Sequence, residues 1–348
     1  MAQGSAKRIA VIGASGFLGQ HIVKELQEWK DADVLAIDKI PPPLHLGRVE
    51  SRIVDITNKE FVENVMFGID YVIHVASLNS ITNYASKAQM RKVNVDGTAN
   101  VIDACRNNGV KLLVYVSSLE AASICKLCSG AIAEDTICTH ATKRNPYAES
   151  KLDAENFVQL SSGSDLYTVV IRPPGIYGEY SPLLRKLYKD ALGRGTVYQL
   201  GLQSEKAVHS RVYAGNVAHM VAMILFRTIH EDVNKQVFYC YDETPMCSYA
   251  ELNSLLFRIR LQRSRTPISL CRFLAKCNDV FKAILNPVGL TYEPLLTTHA
   301  LEISLKPAII NTKHAGWEIG YYSKYSWKEA AEKTRAWLQN SLYKPVGY

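Results

Sequence analysis

The sequence predicts an α/β fold in which a doubly wound parallel sheet carries a smaller, mostly helical substrate-binding subdomain at its C-terminal end. Two patterns lead there. The first half alternates short β-branched runs, Ile9 to Ile12, Val34 to Ile37, Ile53-Val54, Tyr71 to Val75, Leu112 to Val116 and Thr168 to Ile171, with helical periodicity, and strands alternating with helices imply a parallel sheet. After Gly178 the alternation weakens and helical patterns dominate, with strand returns such as Gln236 to Tyr241. The expected division is therefore 1–178 and 179–348, with some later elements returning to the sheet.

The elements are delimited by local signals. Thr57 and Glu60 have the spacing of a capping box before a short helix, as do Ser248 with Glu251 and Ser326 with Glu329. Asn216 is placed to cap a helix running to Thr228. Met90, Val93, Gly97, Val101 and Ala104 mark one face of a longer helix. Asn94 lies on that same side, where it serves either as a core asparagine satisfied by backbone or as a holder of water near a catalytic site.

The first strand runs into Gly13-Ala14-Ser15-Gly16-Phe17-Leu18-Gly19, and a helical pattern follows from Gln20 to Trp29. Glycines there let the backbone turn sharply and approach a pyrophosphate, whose charge the helix N-terminus meets. This is the context of a Rossmann-type dinucleotide site, with Gly13, Ser15, Gly16, Phe17, Leu18 and Gly19 as candidate contacts. Asp38 follows Gly19 by nineteen residues at the end of the second strand. There a carboxylate accepts the adenine-ribose hydroxyls and repels a 2′-phosphate, so NAD is expected over NADP, with Lys39 softening the repulsion. Asp55 and Ile56 are placed for the adenine edge.

Asn145-Pro146 suits the start of a helix that carries Tyr147 and Lys151 four residues apart on one face. A free tyrosine titrates near pH ~10. A nearby ammonium and the positive helix end favour phenolate, so the pair is expected to lower the Tyr147 pKa and make it a base. Ser118, just past the fifth strand, is the candidate hydroxyl for the reacting oxygen. Serine, tyrosine and lysine would bind the alcohol, remove its proton and tune that removal while a nicotinamide takes the hydride.

With 47% hydrophobic residues in 348, the chain can bury a substantial core, and its +7 charge arises from 40 basic and 33 acidic residues without long runs. Dedicated nucleic-acid binding is not expected. Eight residues precede the first apolar run, too few for a secretory signal, so the eight cysteines are expected to be reduced and the fold to start almost at Met1. No spanning segment or lipidation motif is present. Cys125, Cys128, Cys138 and His140 could form half a zinc site, but the spacing favours free thiols, and no metal is expected. Between Pro267 and Leu290, Leu270, Phe273, Leu274, Cys277, Phe281, Ile284 and Leu285 form an apolar stripe opposite Arg272, Lys276, Asp279 and Lys282. Such a helix either lies in a lipid interface or packs against protein.

The glycine motif, His74-Val75-Ala76, Ser118, Tyr147-x-x-x-Lys151 and Arg172-Pro173-Pro174-Gly175-Ile176-Tyr177-Gly178 resemble the extended short-chain dehydrogenases. Val212-Tyr213-Ala214-Gly215-Asn216-Val217-Ala218, Phe238 to Pro245 and Tyr325-Ser326-Trp327-Lys328-Glu329-Ala330 resemble the 3β-hydroxysteroid dehydrogenase/isomerase family in particular, so that the likeness spans nearly the whole chain. It implies NAD-dependent oxidation of a 3β-hydroxysteroid or sterol, with cofactor contacts extending to Ala76, Tyr147, Lys151 and Pro174. It also implies association with a membrane, of the endoplasmic reticulum on its cytosolic face or of the mitochondrion, with the cytoplasm as the alternative, and a homodimer. Isomerising members carry paired aspartates before Thr-Pro, and this chain has Asp242-Glu243; dehydrogenation is expected and isomerisation is left open. The rivals are a decarboxylating sterol 4-carboxylate 3-dehydrogenase, another bulky-ketone reductase and a non-catalytic dinucleotide sensor.

Overall fold

A computed structural model describes residues 6–78, 86–122, 131–132, 146–199, 207–264, 266–285, 290, 292, 294–310 and 312–342. Seven strands form one all-parallel sheet: β1 (Lys7–Ile12), β2 (Ala32–Asp38), β3 (Glu50–Ile53), β4 (Tyr71–His74), β5 (Leu112–Val116), β6 (Tyr167–Arg172) and β7 (Val237–Tyr239). Their order is β3-β2-β1-β4-β5-β6-β7. The order reverses between β1 and β4, which opens a crevice at their carboxyl ends.

The apolar runs are continuous because both faces of the sheet are covered. In β1, Ile9 and Val11 join the core under α1 (Phe17–Gln27), while Ala10 and Ile12 join the opposite core. That second core is closed by α2 (Lys59–Val65), α3 (Lys87–Arg91) leading through a π-helical turn (Lys92–Asp96) into α4 (Gly97–Asn107), and α5 (Pro146–Leu160). Each fully buried Val, Ile or Leu contributes about 1.5–3 kcal/mol by leaving water.

The chain beyond Gly178 supplies α6 (Pro182–Arg194), α7 (Ala214–Arg227), α8 (Tyr249–Phe257), α9 (Ile268–Leu285), α10 (Thr298–Leu305), α11 (His314–Ile319) and α12 (Trp327–Ser341). β7 enters the main sheet beside β6, and α7 completes the core above α1. His219 on α7 and Lys324 both reach Glu25 on α1, at 2.9 Å and 2.6 Å.

Two capping expectations are corrected. The cap of α2 is Asn58, whose side chain accepts from the Phe61 amide, because Thr57 instead donates its amide to Asp55 Oδ1 at 2.8 Å. Asn216 sits inside the first turn of α7, where its side chain bonds Asp242 and the backbone of Tyr325. Ser248 with Glu251 and Ser326 with Glu329 form complete capping boxes.

The apolar stripe of α9 faces outward. Phe273, Phe281 and Ile284 are 62%, 55% and 61% exposed, whereas Cys271 and Ala275 are buried against Leu301 of α10. Polar residues secure that contact: Asp279 accepts from the Thr298 amide at 3.1 Å, and Arg272 pairs with Glu302 at 3.2 Å. Among the described residues no helix is long and apolar enough to cross a membrane.

Candidate active site

The crevice is lined by chain turns at the carboxyl ends of β1, β4 and β5. Gly13 takes φ +93°, and a Cβ there would lie 2.6 Å from the amide nitrogen of Ala76; one on Gly19 would lie 2.0 Å from the Gly13 carbonyl oxygen. The turn, α1 and the end of β4 therefore approach this closely only because these residues lack side chains. Gly16 is the N-cap of α1 and contributes no side-chain cap, which leaves the first amides of α1, from Phe17 and Leu18 onward, without a side-chain acceptor. A turn of this shape with open amides and the positive helix end can hold a pyrophosphate.

Asp38 fastens the turn from the end of β2, its Oδ2 accepting the Ser15 amide at 3.0 Å, while Ser15 Oγ donates to the Ile40 carbonyl. Burial pushes the Asp38 pKa up against these amide bonds and the nearby Lys39. Asp55 is held below the usual carboxylate range by the Thr57 amide. Ile56 is buried, with its side chain filling the space that a Cβ on Gly97 would need.

Tyr147 and Lys151 share the buried face of α5. The Tyr147 phenol faces the hydroxyls of Ser118 and Ser77, both of which pull its pKa down. Ser118, at the end of β5, also accepts the Glu120 amide at 3.1 Å, and the amide of Leu119 donates to Pro173 at 2.9 Å, so this turn is anchored to the segment containing Pro174. The expected lowering of the Tyr147 pKa is overturned. Burial and the charge of Glu120 raise it, and Ser118 and Ser77 do not compensate. Lys151 does not offset this, because its Nζ donates to the Val116 carbonyl at 2.7 Å and to Tyr115 Oη at 3.2 Å. Burial also draws the Lys151 pKa down to about 7, against the pull of Glu155.

One turn beyond Lys151, Glu155 accepts from Ser117 Oγ at 2.6 Å and pairs with Arg172, which donates on to Tyr239 Oη at 3.0 Å. This buried group ties α5 to the carboxyl ends of β5, β6 and β7. Asn94, within the π-helical turn, exchanges both bonds with the backbone of Leu78 and donates to Ser150 Oγ at 2.9 Å. It is thus a satisfied core asparagine that also braces the residue preceding Lys151.

A sequence profile of the 3-beta hydroxysteroid dehydrogenase/isomerase family matches residues 10–272. The chain belongs to this family. It is similar over 95% of its length to a "3 beta-hydroxysteroid dehydrogenase/Delta 5-->4-isomerase" of Vaccinia virus (strain Western Reserve), 31% identical and covering 99% of that protein. It is 32% identical to the human "3 beta-hydroxysteroid dehydrogenase type 7", with 94% of this chain and 95% of that one aligned. In fold it matches a Thermus thermophilus UDP-glucose 4-epimerase solved with NAD, at TM-score 0.71, 20% identity and coverage of 96% and 99%.

Ser77, Glu120, Glu155 and His299 lie around Ser118, Tyr147 and Lys151 and were not singled out from the sequence. Ser77 adjoins Ala76 and Glu120 follows Ser118 by two, so proximity was the available signal; His299 lies 148 positions beyond Lys151 and had none. Cys125, Cys128, Cys138, His140 and Asn145 lie outside the described residues. No group of metal-ligating side chains occurs among the described residues.

Proposed function

We propose that this protein oxidises the 3β-hydroxyl of a steroid or sterol to the 3-ketone, with NAD as the oxidant. The observation that carries the reading is the buried Tyr147 phenol facing the Ser118 hydroxyl beside the glycine turn that fits a pyrophosphate. The names of the viral and human relatives support the substrate class.

In this reading Gly13, Gly16 and Gly19, with the amides of Ser15, Phe17 and Leu18, hold the dinucleotide. Asp38 and Lys39 meet its adenine ribose, Asp55 and Ile56 its adenine edge, and Ala76 and Pro174 close the nicotinamide end. NAD supplies the hydride acceptor when bound. Ser118 and Tyr147 grip the 3-oxygen, and Tyr147 takes the alcohol proton. Since burial favours the protonated phenol, that step is easiest once the phenol has been deprotonated at higher pH. Lys151 holds the end of β5 in register against the helix that carries the phenol.

The exposed apolar face of α9 fits a lipid interface better than a soluble surface, since its aromatic and aliphatic side chains form one stripe. We take it as a monotopic membrane contact, through which a bilayer-borne sterol reaches the site.

The test is NADH formation by the purified protein with NAD and a 3β-hydroxy-Δ5 steroid, alongside Tyr147→Phe and an NADP control. Turnover lost in Tyr147→Phe supports the reading. Cofactor binding without turnover across several sterols overturns it in favour of a dinucleotide sensor, and carbon dioxide release from a 4-carboxysterol would favour the decarboxylating rival.

A further inference from the structure

Two arginines among the described residues are less than a tenth exposed, Arg172 at 9% and Arg211 at 8%. Arg172 has its counter-charge in Glu155. Arg211 has none: among the described residues it makes one hydrogen bond, from Nε to the Gly175 carbonyl at 2.7 Å, and no ion pair. Burial pulls its pKa down, and the side chains that oppose this, Tyr249, Tyr177 and Cys247, are neutral ones. A buried guanidinium without a counter-charge destabilises the folded chain, and an anionic ligand that reaches it removes that penalty.

The guanidinium is held in a fixed orientation. Arg211 begins the short strand Arg211–Tyr213, which runs parallel to Gly175–Tyr177 with Arg211 opposite Gly175. Its guanidinium carbon stands 4.5 Å from the centre of the Tyr249 ring at the start of α8, a cation–π contact. A Cβ on Gly175 would lie 2.7 Å from Arg211 Nε and 3.2 Å from Tyr249 Oη, so the missing side chain makes room for both. With Nε engaged and one face covered, the two terminal amino groups keep the fork geometry that binds a carboxylate through two parallel hydrogen bonds.

This fork belongs to the segment that anchors the reacting hydroxyl. Gly175 is two residues from Pro173, a span of at most about 7 Å, and the Pro173 carbonyl accepts the amide of Leu119, the residue after Ser118, at 2.9 Å. The aromatic rings of Tyr177 and Tyr249 beside Arg211 match an acid borne on an apolar skeleton better than a hydrated inorganic anion.

We propose that Arg211 is a specificity-determining residue: it receives a carboxylate carried by the steroid at the end remote from the 3-hydroxyl, and acidic 3β-hydroxysteroids are the preferred substrates. The assignment rests on the function proposed above. Arg211 selects and orients the substrate and takes no part in hydride or proton transfer.

The experiment compares two 3β-hydroxy-Δ5 steroid acids, one with the carboxylate directly on C17 and one with it at the end of a short alkyl side chain, with their methyl esters. With NAD and wild-type protein, kcat/KM for at least one acid should exceed that for its ester by about 10- to 100-fold, the scale of hydrogen bonds to a charged group, and chiefly through KM. Arg211→Met should bring that ratio close to unity. Equal use of acid and ester by the wild type, or a ratio unchanged in Arg211→Met, overturns the assignment; the latter together with weakened NAD binding would give Arg211 to the cofactor, and together with a lowered melting temperature would make it a brace between the two short strands. Should Arg211→Met not fold, Arg211→Gln, which keeps a donor for the Gly175 carbonyl without the charge, decides by the same ratio. The thermal shift of wild type with NADH and each acid or ester needs no turnover. A larger shift with the acid in a protein that oxidises neither compound keeps Arg211 as an acid-binding residue and removes the proposed function, whereas oxidation of both without preference removes only Arg211.

Discussion

Lys151 directs its ammonium to the carbonyl of Val116, 2.7 Å away, and no hydrogen bond joins it to Tyr147. One turn later Glu155 holds the hydroxyl of Ser117. Successive turns of α5 thus grip successive residues at the end of β5, and the lysine acts on the tyrosine through the position of the strand and helix that carry both site hydroxyls.

Burying this amine makes stability depend on pH. With the Lys151 pKa at about 7 in the folded protein and near ~10.4 in an unfolded chain, the unfolded state binds more protons between those values, so this group's contribution to stability rises with pH across that window. Urea unfolding of wild type and Lys151→Met at pH 7 and pH 9 checks this. The variant's advantage should be larger at pH 7; an equal difference at both pH values would remove the argument.

The raised Tyr147 pKa sets the pH dependence of oxidation. Throughout the range from pH 7 to 9 the phenol stays below its pKa, so the reactive phenolate grows tenfold per pH unit. Oxidation with saturating NAD and steroid should therefore climb through this range, and a plateau below pH 8 would show that bound cofactor restores an ordinary or lowered pKa.

Removing one partner of the Glu155–Arg172 pair leaves the other charge buried, at a cost of about 3–5 kcal/mol. Arg172→Met is expected to lower the denaturation midpoint strongly. The double variant Glu155→Leu/Arg172→Met should lose much less than the sum of the singles, which a double-mutant cycle in guanidinium measures.

Gly19→Ala places a methyl group against the Gly13 carbonyl and should abolish NAD binding by calorimetry. Gly47→Ala, at φ +69° and ψ −154° with nothing nearby, meets no neighbour and carries only backbone strain, of about 1–3 kcal/mol. It should bind NAD normally.

Replacing Phe273 and Phe281 on α9 by aspartate should sharply reduce flotation with phospholipid vesicles while leaving oxidation of a detergent-dispersed steroid intact. Undiminished flotation would rule out this helix as the membrane contact.

The sequence by itself determined the parallel sheet, the glycine turn and the helix bearing Tyr147 and Lys151, because these rest on local periodicity and on residues a few positions apart. Local rules also came close for α2, where the cap moved by one residue from Thr57 to Asn58. Tertiary structure alone decided where charge resides. The ammonium of Lys151 turns to β5, Asp242 is absorbed into the join between β7 and α7, and His299 arrives beside Glu120 from α10. It also decided that the apolar stripe of α9 faces out, since the small residues Cys271 and Ala275 allow a closer approach to α10. Burial and long-range pairing set these outcomes, and neither is encoded in the spacing of residues along one element.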